Sequence, residues 1–229
     1  MLHDNILDAI GNTPIFQLSR LTDGCVFAKG EFLNPGGSIK DRVARRLIEQ
    51  AEERGELHEG SVIVEASSGN TGIGLALVGV QKGYRVMIVM PENMSEERKK
   101  ILRAFGGELI ETPACKSLTG CLEQVEQLQQ ELPDVWVASQ FQNPGNPEVH
   151  YEHTGPEIWA DMEGRIDYFV AGVGSGGTLQ GVGRYLKERD PHIRVVAVEP
   201  RAASALLGRE PGLHQIQGIG DGFVPEVLD

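Results

Sequence analysis

Apolar positions along the chain fall into two alternating patterns. Short runs rich in Val, Ile and Met occur at 61–66 (SVIVEA), 85–90 (RVMIVM), 108–111 (ELIE), 135–138 (VWVA), 168–172 (YFVAG) and 194–199 (RVVAVE). Runs this short, continuous and β-branched predict buried strands. Between them lie stretches with the apolar period of a helix, over 40–54, 71–82, 95–105, 117–131, about 148–160 and 177–189. Strand–helix alternation of this kind predicts an α/β fold, with parallel sheet and helices on both faces. Two more runs near the N-terminus, PIFQLSR and CVFAKGEF, read as an antiparallel edge pair. The Pro/Gly/Asn cluster FQNPGNPEV (141–149) is the expected lobe boundary.

Composition narrows the class. The 229 residues carry 33 acidic and 21 basic side chains, a net charge of −12. Phosphate backbones dominate nucleic-acid affinity, so this balance argues against a DNA or RNA partner. No apolar run approaches the roughly 20 residues of a membrane helix. The N-terminal MLHDNILDAIGNTP lacks the basic and apolar regions of a signal peptide. The three cysteines, Cys25, Cys115 and Cys121, form no CxxC pair and fit a reducing compartment. A cytoplasmic protein is the expectation.

Three loops carry candidate chemistry. In NPGGSIKDR (34–42), Ser38 can cap a helix, which makes Lys40 the second helical residue. A helix N-terminus disfavours a cation, and a neutral amine is what a nucleophile, a Schiff-base former or a general base needs. In ASSGNTG (66–72), a strand runs into a helix start whose N–H groups can hold an anion, helped by Ser67, Ser68 and Thr71. In AGVGSGGT (171–178), a second strand runs into a second helix start. Gly172, Gly174 and Gly177 there fit G-x-G-x-x-G, and Glu199 follows at the end of the next strand, roughly 20 residues on. A nicotinamide-dependent oxidoreductase is therefore one reading, and a phosphate cradle made by Gly174–Thr178 is the other. A dehydrogenase leaves Lys40 and the Ser67–Thr71 loop unexplained. A reactive lysine with two anion cradles suits pyridoxal phosphate bound to an amino acid.

Other residues read as structural. His150 and His153 stand three apart on one predicted helix, a possible metal spacing with no third ligand near in sequence, so they are expected on a helix surface and no metal is expected. Trp136 and Trp159 are expected in the core. The segment 94–107 reads as a solvated amphipathic helix.

The motifs IGNTP (10–14), NPGGSIKDR (34–42), EASSGNTG (65–72), QFQNPGNP (140–147), TGPEIW (154–159), GVGSGGT (172–178) and IQGIGDGF (216–223) span nearly the whole chain. In that order they resemble the cysteine synthase (O-acetylserine sulfhydrylase) family of fold type II pyridoxal-phosphate enzymes. The resemblance implies a two-lobed α/β architecture, with a smaller lobe over 38–143 and a larger lobe over 12–37 and 144–229. The chain ends short of the usual family length, so the larger lobe is expected to be incomplete at its C-terminus. The resemblance further implies that Lys40 bonds the cofactor and moves the α-proton, with Asn70 at the ring hydroxyl. Gly174, Ser175, Gly176, Gly177 and Thr178 would hold the phosphate. Ser67, Ser68, Asn70, Thr71 and Gln140 would hold the substrate carboxylate, with Gly218 near the amino group. The implied reaction is a β-replacement that joins an O-activated serine to sulfide, in a homodimer. Asp221 departs from the small residue frequent after GIG. A carboxyl group there could assist a β-lyase that releases sulfide or water from cysteine or serine.

Overall fold

The computed structural model describes every residue except Met1, Asp23, Ser68, Glu210, Pro211 and Leu213, together with all side chains but those of Ser117 and Leu118. Its elements in chain order are β1 (Ile15–Gln17), β2 (Phe27–Lys29), α1 (Lys40–Glu53), β3 (Val62–Ala66), α2 (Asn70–Gln81), β4 (Arg85–Pro91), α3 (Glu96–Ala104), β5 (Glu108–Thr112), α4 (Ser117–Glu131), β6 (Val135–Val137), α5 (Gly145–Val149), α6 (Gly155–Asp161), β7 (Tyr168–Gly172), α7 (Gly177–Arg189) and β8 (Arg194–Val198). They form two compact units. One comprises Met1–Ile10 and Asn34–Ser139, the other Gly11–Leu33 and Gln140–Asp229.

The first unit is built on a four-stranded parallel sheet in the order β5-β4-β3-β6. Its centre is β3, every residue of which is buried, as are all but the first of β4. Alternate side chains of β3 sort to opposite faces. Val62, Val64 and Ala66 pack with Cys121, Val125 and Leu128 of α4. On the other face Ile63 lies beside Gly79 of α2, where a Cβ would come within 2.9 Å of it. Helix α2 is therefore apolar nearly all round, as a helix wedged between a sheet and a second helix must be. Gly74 lets α1 close against α2, because a Cβ there would sit 2.9 Å from the Lys40 carbonyl.

In the second unit β1 pairs antiparallel with β2, as the edge-pair pattern predicts, and β7 pairs in parallel with β8. Ile158, Val182, Tyr185, Leu186 and Ile193 form its core, with Trp159 and Phe169 against them. Here two sequence expectations need correction. Strands β7 and β8 are not buried on both faces, since Tyr168 and Val170 are 56% and 58% exposed and Val198 also faces out. Among the described residues this sheet has only two strands, and α7 covers one side of it. The helix expected at about 148–160 is a composite, α5 followed by a π-turn over His150–Thr154 and then α6. Such single π-turns insert one extra residue and recur at functional sites.

Candidate active site

The first unit carries Lys40, Ser67, Asn70 and Thr71. Lys40 is the first residue of α1 rather than the second, because Ile39 already has helical angles and occupies the cap position. Ser38 Oγ still accepts the Lys40 N–H at 3.2 Å. The glycine loop ahead of it is folded onto the helix by Asp41, whose buried carboxylate accepts the Gly36 N–H at 2.5 Å. Gly36 has no room for a side chain, since a Cβ would run into that carboxylate, and Gly37 turns the chain with φ of +85°. Lys40 is thereby held, half-buried, at the mouth of a tight turn.

The α2 start is wound in a similar way. Ser67 Oγ accepts the N–H groups of Gly72 at 3.0 Å and Gly69 at 3.3 Å, so the hydroxyl is used to shape the loop. Thr71 is buried and Asn70 exposed. Gly69, the cap residue of α2, makes no side-chain hydrogen bond of its own, and Ser67 reaches into the first turn, at Gly72. Ser68 lies outside the described residues.

The second unit carries Gln140, Gly174–Thr178, Gly218 and Asp221. Gly176 takes the left-handed conformation, φ +82°, as the N-cap of α7. Among the described residues nothing accepts the main-chain N–H groups of Gly176, Gly177 or Thr178. Behind this loop stands a row of polar side chains, of which the sequence singles out only His150, with a helix surface as its expected place. Asn146 Nδ2 donates to Ser175 Oγ at 3.0 Å and to the Gln140 carbonyl at 2.9 Å. Its Oδ1 abuts Gly177, which no larger residue could replace. His150, one turn on, lies 3.3 Å by Nε2 from Thr178 Oγ1 and 2.9 Å by Nδ1 from Thr154 Oγ1. His150 is thus fully buried, not on a helix surface as expected. It lies on the face that meets α7, so an imidazole between two hydroxyls satisfies both of its ring nitrogens. The 146/150/154 spacing was visible in the sequence, but nothing in it tells an inward polar row from an outward one.

The loop Gly218–Asp221 lies along the same strand exit. Gly220 donates to the Val173 carbonyl at 2.9 Å and His214 Nε2 lies 2.8 Å from the Gly220 carbonyl. Gly174 is so close to the Gly218 carbonyl that no side chain would fit, and its missing Cβ would lie 3.7 Å from Asp221 Oδ2. The exposed Asp221 carboxylate therefore stands beside the Gly174–Thr178 loop. Glu199, the acidic end of the dinucleotide pattern, is engaged elsewhere. Both of its oxygens accept the Leu206 N–H, at 3.2 and 3.3 Å, and so hold a local turn. Among the described residues no cluster of three or more metal-ligating side chains exists.

A further ionisable group, Glu65, is buried in β3 with its pKa raised to about 7 by desolvation, a rise opposed by hydrogen bonds from the Ser139 and Ala138 N–H groups.

A glycine-lined helix start with undonated N–H groups and two fixed hydroxyls fits a phosphate ester. The chain matches the pyridoxal-phosphate dependent enzyme family over residues 6–229 and belongs to that family. Its cofactor is pyridoxal phosphate. The chain is 47% identical over 231 residues to a cysteine synthase of a Flavobacterium species, covering all of this chain and 75% of the relative. It superposes on a cysteine synthase from Entamoeba histolytica with a TM-score of 0.94 at 42% identity, covering all of this chain and 70% of the other. A hydrogen sulfide-producing enzyme from Fusobacterium nucleatum gives a TM-score of 0.94 at 40% identity, over all of this chain and 76% of the other. The α/β architecture is that of these enzymes. No helix among the described residues is long and apolar enough to cross a membrane.

Proposed function

We propose that the protein forms L-cysteine by β-replacement, joining an O-activated serine such as O-acetylserine to sulfide. The observation that carries this reading is identity of 47% to a cysteine synthase along the entire chain. Bound pyridoxal phosphate supplies an electron sink that makes the α-proton acidic and allows a β-substituent to leave. The residues around it do the rest. Lys40 bonds the cofactor and, as an amine, takes and returns the α-proton. Gly174, Ser175, Gly176, Gly177 and Thr178 bind the phosphate through N–H groups and hydroxyls. Asn70 sits at the ring hydroxyl. Ser67, Ser68, Asn70, Thr71 and Gln140 hold the substrate carboxylate, and Gly218 stands near its amino group. The reading includes small-molecule substrates, a homodimer, and a cytoplasmic setting without nucleic-acid or membrane partners.

A second reading is a β-lyase that releases sulfide from cysteine. Two observations favour it, the Asp221 carboxylate beside Gly174 and the likeness to a hydrogen sulfide-producing enzyme. Product analysis separates the two. The holoenzyme is given O-acetylserine with sulfide in one arm and cysteine alone in the other. Cysteine formed in the first arm supports the synthase. Sulfide released only in the second arm would replace it with the lyase, and turnover in neither would remove both.

A further inference from the structure

Glu65 has no place in the chemistry above, yet the fold keeps an ionisable group there at a cost. It is 5% exposed in a strand whose neighbours are Val64 and Ala66. No charged side chain among the described residues accounts for its shifted pKa. Its hydrogen bonds, among the described residues, are with main chain. The parallel ladder between β3 and β6 ends at the pair Val64 and Val137. Beyond it the N–H groups of Ala138 and Ser139 have lost their strand partner, and a buried N–H must find another. Glu65 supplies it. Ser139 donates to Glu65 Oε2 at 3.0 Å, and Ala138 donates to the same carboxylate. To reach this position Ser139 takes φ of +50°, a left-handed conformation unfavourable for a residue with a side chain.

We propose that Glu65 is a positioning residue for the amino-acid substrate, fixing the chain beyond β6 at Ala138 and Ser139 against the exit of β3, which leads into Ser67, Asn70 and Thr71. The proposal rests on the reading of those residues as the carboxylate-binding groups. A carboxylate suits the task because it is an acceptor with two oxygens and can take two N–H groups at once. A glutamine has one acceptor oxygen, and its amide N–H₂ would face the second donor. Glu65→Gln therefore breaks one of two hydrogen bonds with almost no change in volume. The burial that raises the Glu65 pKa also strengthens each bond to its ionised form.

The test compares wild type and Glu65→Gln, both loaded with pyridoxal phosphate. Calorimetry gives the Kd of L-alanine, which has no β-substituent to lose, and steady-state assays give KM and kcat for O-acetylserine. Glu65→Gln is expected to raise both the Kd and the KM about tenfold, the effect of one charge-assisted hydrogen bond. Cofactor occupancy and kcat should stay within about threefold, since the variant removes uniform binding. A purely structural role would lower the fraction of active sites and leave Kd and KM unmoved, and that outcome overturns the proposal. Failure of wild type to bind L-alanine would overturn the amino-acid site itself and Glu65 with it. Should Glu65→Gln not fold, the amide proton of Ser139 is followed by NMR in wild type. Its shift should inflect with the titration of Glu65, and a flat profile from about pH 3.5 to about 8.5, which spans both the ordinary and the raised carboxyl range, would overturn the assignment.

Discussion

Asn146 donates its side-chain amide to the Ser175 hydroxyl at 3.0 Å, within a fully buried contact between α5 and the loop that precedes α7. The same amide also holds the Gln140 carbonyl. One side chain thus orients a hydroxyl of the loop proposed to hold the phosphate and the main chain of a residue proposed to hold the substrate. Asn146→Ala should loosen both. Leaving buried acceptors unsatisfied costs about 1–3 kcal/mol, measurable by urea unfolding of the apoprotein. The Kd for pyridoxal phosphate should rise as well. Stability lost without any change in cofactor affinity would make Asn146 a packing residue only.

Lys40→Ala should abolish turnover, with a fall of at least about a hundredfold for the loss of positioned proton transfer and more for the loss of covalent binding. Borohydride reduction followed by peptide mass analysis should find the cofactor on Lys40 in wild type and on no residue in the variant. Activity within tenfold of wild type would remove Lys40 from the mechanism.

The two readings of the Gly174–Thr178 loop predict opposite pairs of results. Gly176 has φ of +82°, where a branched side chain is strained by roughly 1–2 kcal/mol, and its N–H lies in the cradle. Gly176→Val should therefore weaken pyridoxal phosphate binding. Glu199→Gln should leave that binding unchanged, since Glu199 serves the Leu206 turn. Fluorescence titration with the cofactor and with a nicotinamide dinucleotide reads both. Dinucleotide binding that disappeared in Glu199→Gln would reverse the assignment.

The parts of the molecule that were legible from sequence share a physical trait. Strands β3 and β4 are buried on both faces except at Arg85, so their runs are apolar apart from Arg85 and Glu65, and the glycine-rich loops must have glycine for steric reasons at Gly36, Gly174 and Gly177. What escaped depends on partners that composition does not encode. An apolar run cannot reveal whether a sheet has neighbours on both sides, and Val170 and Val198 face out. His150 carries the same polarity whether it meets water or Thr178. Glu65 satisfies main-chain donors, which leave no mark in a side-chain pattern.

Glu65 also sets a pH dependence of stability. Burial pushes its folded pKa up to about 7 from the ordinary carboxylate value of 4.5. The raised value means that the folded state favours the protonated acid. The stability contributed by that neutral form is fully present below about pH 4.5 and is lost as pH rises through about 7. The change across that window is about 3 kcal/mol from a shift of this size. Glu65→Gln stays neutral, so its stability relative to wild type should grow between pH 5 and about 8 by an amount of that order. Chemical denaturation at the two pH values measures it. A constant difference would mean that Glu65 titrates normally.

Substitution of Asp221 tests the lyase reading against the synthase. Acetate leaves as an anion, which a neighbouring carboxylate would repel, so Asp221 offers nothing to acetylserine. Sulfide leaving from cysteine, or water adding to the β-carbon, needs a proton moved, and a carboxyl group can move it. The carboxylate stands beside Gly174, within the loop assigned to the phosphate, and close to Gly218 in sequence. It is solvent-exposed, so it can also be an ordinary turn residue ahead of Gly222, whose φ is +85°. The two roles give different kinetics. If Asp221 handles the proton, Asp221→Ala should depress sulfide release from cysteine by about 10²-fold or more, while cysteine formation from O-acetylserine and sulfide changes far less. Asp221→Asn, which keeps the shape but not the proton, should behave as the alanine variant does. Equal losses in both reactions, or none in either, would return Asp221 to the turn and leave cysteine synthesis as the whole activity.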